Sequence, residues 1–245
     1  MDNETNLKHK YSKSAIFTYT ILAVIISFCI FYLLTLPSFM IGKVKITGNS
    51  ILKEEEIYNI AEIPNKYNSL NLNVKDIEKR LNSDLRIESA NVKRSFFTEI
   101  SINITERRPV CYIACDYGFL QLDKNGVILT AFKNVKKFNL PIITGVVLEN
   151  LYIGDIVNDG NVKTVIEYLT LLDDNTLNKL SEVNITNDDY MLAYTTGSIQ
   201  IKLGNKERIA DKANLTKTLL QELSAKKLNV EYIDLNYATP FMKFR

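Results

Sequence analysis

The stretch "NVKRSFFTEISINITERRPV", residues 91–110, decides how the rest of the chain is read. Ala90 and Val92 alternate with Asn91 and Lys93 in a first strand, and Ile100, Ile102 and Ile104 alternate with Ser101, Asn103 and Thr105 in a second. A period of two places one side-chain set on each face of a pleated ribbon, so the stretch is a hairpin whose apolar face must be buried. Its polar face carries charges and no obvious catalyst. Glu106, Arg107 and Arg108 close the hairpin and read as a solvated charge run, with a hinge between domains or an anionic contact as the functional alternative for Arg107 and Arg108.

The residues before the hairpin supply its cover. "ILKEEEIYNIAEI" sets Ile57, Ile60 and Ala61 at helical spacing, with Glu54, Glu55 and Glu56 in the first turn, where the helix dipole favours negative charge. Beyond "PNKYNSLN", Val74, Ile77, Leu81 and Leu85 fall on one face of a second helix with Asn73 as its N-cap. "IGKVKITGN" alternates Ile41, Val44 and Ile46 imperfectly and ends in a Gly48-Asn49 turn. The order strand, helix, helix, strand, strand makes a layered unit of roughly 70 residues.

Downstream of Pro109 the chain is richer in strands. "YGFLQL" and "GVILT" flank the hairpin signal "DKNG", and "LSEVNIT", "YMLAYT" and "SIQIKLG" read as a three-stranded meander with turns at "NDD" and "TG". One helix buries Val162, Val165, Ile166 and Leu169, and another, beginning near Glu207, aligns Ile209, Ala213, Leu220 and Leu223. "VEYIDLNYATPFMKFR" reads as a final strand in which Pro240 lacks an N–H, so at least its end belongs at a sheet edge.

Far upstream, Ala15 to Leu36 contains no charged residue, Gly or Pro. A helix of that length spans the ~30 Å hydrocarbon core of a bilayer. Lys8, Lys10 and Lys13 outnumber Asp2 and Glu4, which places the N-terminus in the cytoplasm and the chain from about Pro37 outside, a single-pass type II arrangement. A cleaved signal peptide is the alternative, but the apolar run exceeds the usual ~7 to 15 residues and "TLPSFMIGKV" offers no small-x-small cleavage site.

Composition narrows the chemistry. With 30 Lys+Arg against 28 Asp+Glu the charge does not indicate a nucleic-acid partner. Cys111 and Cys115 share a strand face but stand roughly 13 Å apart in a continuous strand, too far for a disulfide, and are read as small core residues. Cys29 lies in the membrane segment and His9 on the far side of it, so neither a zinc site nor any cofactor is expected. The external part has no histidine for a triad and no Gly-rich phosphate loop; the enzyme alternative is a membrane-anchored serine-lysine peptidase.

Taken together, "VKITGNSILKEEEI", "NLNVKDIEKRLNSDLRIESANVKRSFFTEISINITERRPV", "GFLQLDKNGVIL", "LPIITG", "IKLGNKERIADKANLTKTLL" and "YIDLNY" resemble the FtsQ/DivIB bacterial cell-division proteins. The resemblance implies an α+β protein: a cytoplasmic N-terminus at 1–14, a transmembrane helix at 15–36, a POTRA-like β-α-α-β-β domain at 39–108 and a larger β-rich domain with two helices at 109–245. It further implies a non-enzymatic scaffold at the division septum that holds the bitopic division proteins FtsL and FtsB (DivIC in Gram-positive bacteria), meets other divisome components, and helps coordinate septal peptidoglycan synthesis. A POTRA-containing protein of polypeptide transport is the neighbouring alternative. In the family a late strand of the second domain is a partner-binding edge. Here that points to Tyr237, Phe241 and Phe244, and to Asn236, which stands where the family often has Arg.

Overall fold

The computed structural model describes residues 13–34, 43–64, 67, 72–95, 99–186, 190–237 and 239–245. The basic residues before Lys13, Pro37, Ile41, Phe96, Phe97 and the residues read as the "NDD" turn lie outside the described residues. Helix α1 runs Lys13–Leu34. It is, among the described residues, the one helix long and apolar enough to cross a membrane. The chain divides between Glu106 and Arg107 into two compact units.

The first unit holds β1 (Lys43–Thr47), α2 (Glu54–Ile60), α3 (Val74–Ser83), β2 (Ile87–Ser95) and β3 (Glu99–Glu106), with sheet order β1-β3-β2. The isoleucines of the opening hairpin are its centre: Ile100, Ile102 and Ile104 are buried. Ile100 and Ile102 lie beside Val44 and Ile46 of parallel β1, while Ile102 and Ile104 face Val92 and Ala90 of antiparallel β2. Ile57 and Ala61 at the end of α2, with Ile77 and Leu81 of α3, complete this core, each large side chain contributing on the order of 2 kcal/mol. Asn73 caps α3 by accepting from the Lys75 N–H at 3.1 Å. The helix stops at Ser83, because Asp84 is extended, so Leu85 falls beyond it rather than on its apolar face.

Helix α3 also closes the outer edge of β2. The Asn82 side chain accepts from the Ala90 N–H at 2.8 Å and donates to the Ala90 carbonyl at 3.2 Å, taking the part of a neighbouring peptide. One turn earlier, Glu78 accepts from the Val92 N–H at 2.9 Å.

The second unit holds β4 (Pro109–Cys115), β5 (Gly118–Asp123), β6 (Ile128–Phe132), β7 (Ile142–Thr144), α4 (Gly160–Thr170), α5 (Asp174–Leu177), β8 (Leu180–Thr186), β9 (Tyr190–Thr195), β10 (Gln200–Gly204), α6 (Ile209–Lys226), β11 (Val230–Asp234) and β12 (Phe241–Phe244). Its nine-stranded sheet has the order β12-β11-β10-β9-β8-β7-β4-β5-β6. One apolar row crosses every strand in register: Met242, Ile233, Ile201, Ala193, Val183, Ile143, Ile113, Leu120 and Ala131. Parallel neighbours need long crossovers, and α4 with α5 connects β7 to β8 as α6 connects β10 to β11. These helices bury the apolar row, and the buried Tyr168 of α4 donates to the Thr216 hydroxyl of α6 at 2.9 Å. The one-turn α5 has no counterpart in the sequence reading.

The opposite face carries Ile142, Glu182, Tyr194, Gln200, Tyr232 and Lys243 in one register row, half-buried or exposed. Both cysteines of β4 are free, Cys111 buried and Cys115 half-buried against the core. Burial holds the Cys111 thiol far above its ordinary pKa, with the Asp123 charge adding to the effect, so it stays protonated.

Candidate interaction edge

The final stretch is not one strand but two. After Asp234 the chain bends, because the Asp234 carboxylate accepts from both the N–H and the side-chain amide of Asn236, at 3.0 and 2.8 Å. Leu235 stays buried, its N–H donating to the Lys202 carbonyl at 3.0 Å. The chain then returns through Pro240 into β12, antiparallel to β11, and β12 is the outermost strand.

The direction of the main-chain groups on β12 follows from two bonds. Leu235 faces β10, so Tyr232 and Asp234 of β11 turn their N–H and C=O groups to β12, towards Lys243 and Phe241. Arg245 donates to the Asn229 carbonyl at 3.1 Å, in phase with that alternation. Met242 and Phe244 therefore turn their N–H and C=O groups outward, where no strand pairs with them among the described residues.

Side chains add apolar area to this edge. Phe241 is 56% exposed, Phe244 52% and Tyr237 65%, whereas Met242 packs on the core. The Phe241 ring centre lies 6.1 Å from that of Tyr232, and the Lys202 ammonium sits 3.9 Å from the same Tyr232 ring centre. Lys243 pairs with Glu231 at 2.7 Å. Asn236 is exposed but engaged, since its amide also donates to the Tyr190 hydroxyl at 3.3 Å. Tyr190 and Tyr232 were not singled out in the sequence; the signal for them is the alternation of β9 and β11, which puts aromatic residues on the face away from the helices.

The charges at the end of β3 are not the solvated run that the sequence suggested. Glu106 is 7% exposed and its carboxylate accepts from the N–H groups of Ser50, Ile51 and Leu52 and from the Ser50 hydroxyl, at 2.7 to 3.1 Å. Burial alone would raise its pKa, but these bonds outweigh burial and hold it below the usual carboxylate value. Arg107 pairs with the buried Asp123 at 2.7 Å, and Asp123 also accepts from the N–H groups of Asn125 and Val127 in the "DKNG" turn. Arg108 is exposed. Removing one partner of a buried pair leaves a charge uncompensated, so Arg107→Ala should destabilise the second unit by about 3 kcal/mol and lower its melting temperature by about 10 °C. Calorimetry of the two unfolding transitions checks this; the first unit's transition should not move.

One lysine and one serine do meet. In a cleft of about 470 Å³ between the end of α6 and the β9–β10 turn, Lys179 donates to the Ser224 hydroxyl at 3.1 Å, while that hydroxyl donates to the Leu220 carbonyl at 2.7 Å. A general base must accept the serine proton. Here the serine hydroxyl is also within hydrogen-bond reach of the Leu220 carbonyl, and the contact with the lysine is exposed.

Comparison with known proteins adds to this geometry. The family described as "POTRA domain, FtsQ-type" matches residues 39–107, and that described as "Cell division protein FtsQ/DivIB, C-terminal" matches residues 112–236. The cell division protein DivIB of Clostridium tetani is 28% identical over 227 residues, covering 90% of this chain and 83% of that protein. The cell division protein FtsQ of Geotalea daltonii is 24% identical over 204 residues, covering 82% and 74%. The solved major extracytoplasmic domain of DivIB from Geobacillus stearothermophilus aligns with 49% of this chain and 97% of its own, at 19% identity and a TM-score of 0.37.

Proposed function

The chain belongs to the FtsQ/DivIB family of bacterial cell-division proteins, and from that premise we propose that it is a non-enzymatic scaffold of the division machinery, anchored by α1 with its N-terminus in the cytoplasm. Its partners in this reading are the FtsL-like and FtsB/DivIC-like bitopic division proteins, and its task is to help coordinate septal peptidoglycan synthesis. The observation that carries the proposal is the outward main chain of Met242 and Phe244, beside the exposed rings of Tyr237, Phe241 and Phe244. An unpaired strand edge accepts an extended partner segment by main-chain hydrogen bonding, and neighbouring aromatic side chains supply large contact area at low entropic cost.

The alternatives find less support. A base lysine needs burial to lose its proton, and the Lys179–Ser224 contact is an exposed one. A transport module that held its cargo as a strand added to β2 would need that edge open, and Asn82 and Glu78 occupy it.

The test is the position of a fluorescent fusion of the full chain, in cells depleted of the native protein. A band at the division site with septation restored is the expected result. A fusion that restores growth while spread evenly around the envelope overturns the proposal.

A further inference from the structure

The segment "GNKERIADK", residues 204–212, carries a feature that edge docking alone does not use: a lysine inside the protein. Lys212 of α6 is 1% exposed. Its ammonium donates to the Asn205 carbonyl at 2.7 Å and lies 3.4 Å from the Asn205 side-chain oxygen. Burial pulls its pKa below the ordinary lysine value, and the nearby Arg208 charge adds to this, while Glu207 opposes it. A buried ammonium has a desolvation penalty that a methionine of similar length would not have. Filling the core is therefore not what the lysine is for.

What it grips is the loop from Gly204 to Arg208, and that loop grips the β11–β12 turn. Gly204 has φ +68, and a Cβ there would lie 1.6 Å from the Asn236 side-chain oxygen, so the Asn236 amide rests directly on the glycine. Arg208 has φ 53, a left-handed conformation unfavourable for a residue with a Cβ. That backbone is compensated by two contacts of its guanidinium, which donates to the carbonyls of Leu235 at 3.3 Å and Tyr237 at 3.1 Å. These are the residues through which the chain turns from β11 towards β12.

We propose that the Gly204–Arg208 loop, held from the core side by Lys212, is the mount that fixes the β11–β12 turn and so presents the docking edge in its binding geometry. This rests on the edge-docking reading above. Lys212 and Arg208 are positioning residues: Lys212 is buried and Arg208 exposed, and both act through the carbonyl groups they hold. Preorganisation of this kind raises affinity by removing the entropy of ordering the edge on binding.

Two variants separate the mount from the core. Lys212→Met keeps the volume and removes the grip on Asn205; Arg208→Gly suits the left-handed backbone and removes the side chain with its guanidinium. In the full chain in detergent micelles, hydrogen exchange of residues 235–245 should quicken about tenfold in both, with residues 180–195 unchanged. Affinity for the purified extracytoplasmic part of the DivIC-like protein from the same cell should fall about tenfold. Exchange and affinity equal to wild type in both variants overturn the mount, as does faster exchange spread evenly over the second unit. If the turn loosens as expected but the wild-type chain itself does not bind that partner, the mount stands and the docking reading falls.

Discussion

Glu106→Ala should unfold the unit formed by residues 43–106. Three main-chain N–H groups and a hydroxyl converge on this one carboxylate, at the turn that leads into α2. Its loss leaves those donors without their acceptor, the Leu52 N–H in a buried place and the others in a half-buried one, and each hydrogen bond to a charged group is worth roughly 1.5 to 3 kcal/mol. Even allowing for non-additivity, a loss of about 4 kcal/mol approaches the whole stability of a domain this small. Glu106→Gln, which keeps an acceptor and removes the charge, should cost about half as much. Because the carboxyl pKa is lower folded than unfolded, its contribution is complete above the unfolded value of about 4.3 and fades as the pH falls through the folded one. The wild-type first unit should therefore melt at progressively lower temperature below about pH 5, and the Gln variant should show a flatter acid limb. Two-transition calorimetry across pH checks both; an unchanged first transition in Glu106→Ala would show that the turn finds other acceptors.

Removal of residues 241–245 should abolish strand docking, with a loss of affinity of about a hundredfold or more, while the second unit stays folded. The cut takes away the outermost strand and only one member of the apolar row, Met242. A cut made from residue 232 would be uninformative, since it also removes Ile233 and Leu235, both fully buried. A finer variant isolates the main chain. Phe244→Pro deletes one outward N–H and leaves the β11 ladder intact, whereas Lys243→Pro places the missing donor in that ladder. Phe244→Pro should weaken binding about tenfold beyond Phe244→Ala, and both should retain wild-type circular dichroism. Equal affinities for the two Phe244 variants would falsify main-chain pairing and leave the aromatic ring as the contact.

What was legible in the sequence was legible because it was local. Alternation alone identified the buried set Ile100, Ile102 and Ile104, and helical spacing identified Val162, Val165, Ile166 and Leu169. The partners of Glu106 and Arg107 were not legible: Ser50 is 56 residues away and Asp123 is 16 away. A charge run looks the same whether its partners are water or a folded turn. The order of the large sheet was equally hidden, because β4 lies between β5 and β7 through pairings no hairpin signal announces. At the candidate edge the sequence put the end of the chain at a sheet margin through Pro240, which leads into the outermost strand β12, but joined two strands into one. The bend depends on Asp234 receiving Asn236, a contact two residues long that alternation does not register.

The closure of β2 has a consequence for assembly. A sheet with two receptive margins can grow without limit, each added copy offering a fresh margin to the next, as in fibrils. In the first unit Asn82 and Glu78 engage Ala90 and the Val92 N–H from within, which interrupts the outer margin of β2 at its centre. A strand partner is then left to the other margins, among them the outermost strand β12 of the second unit.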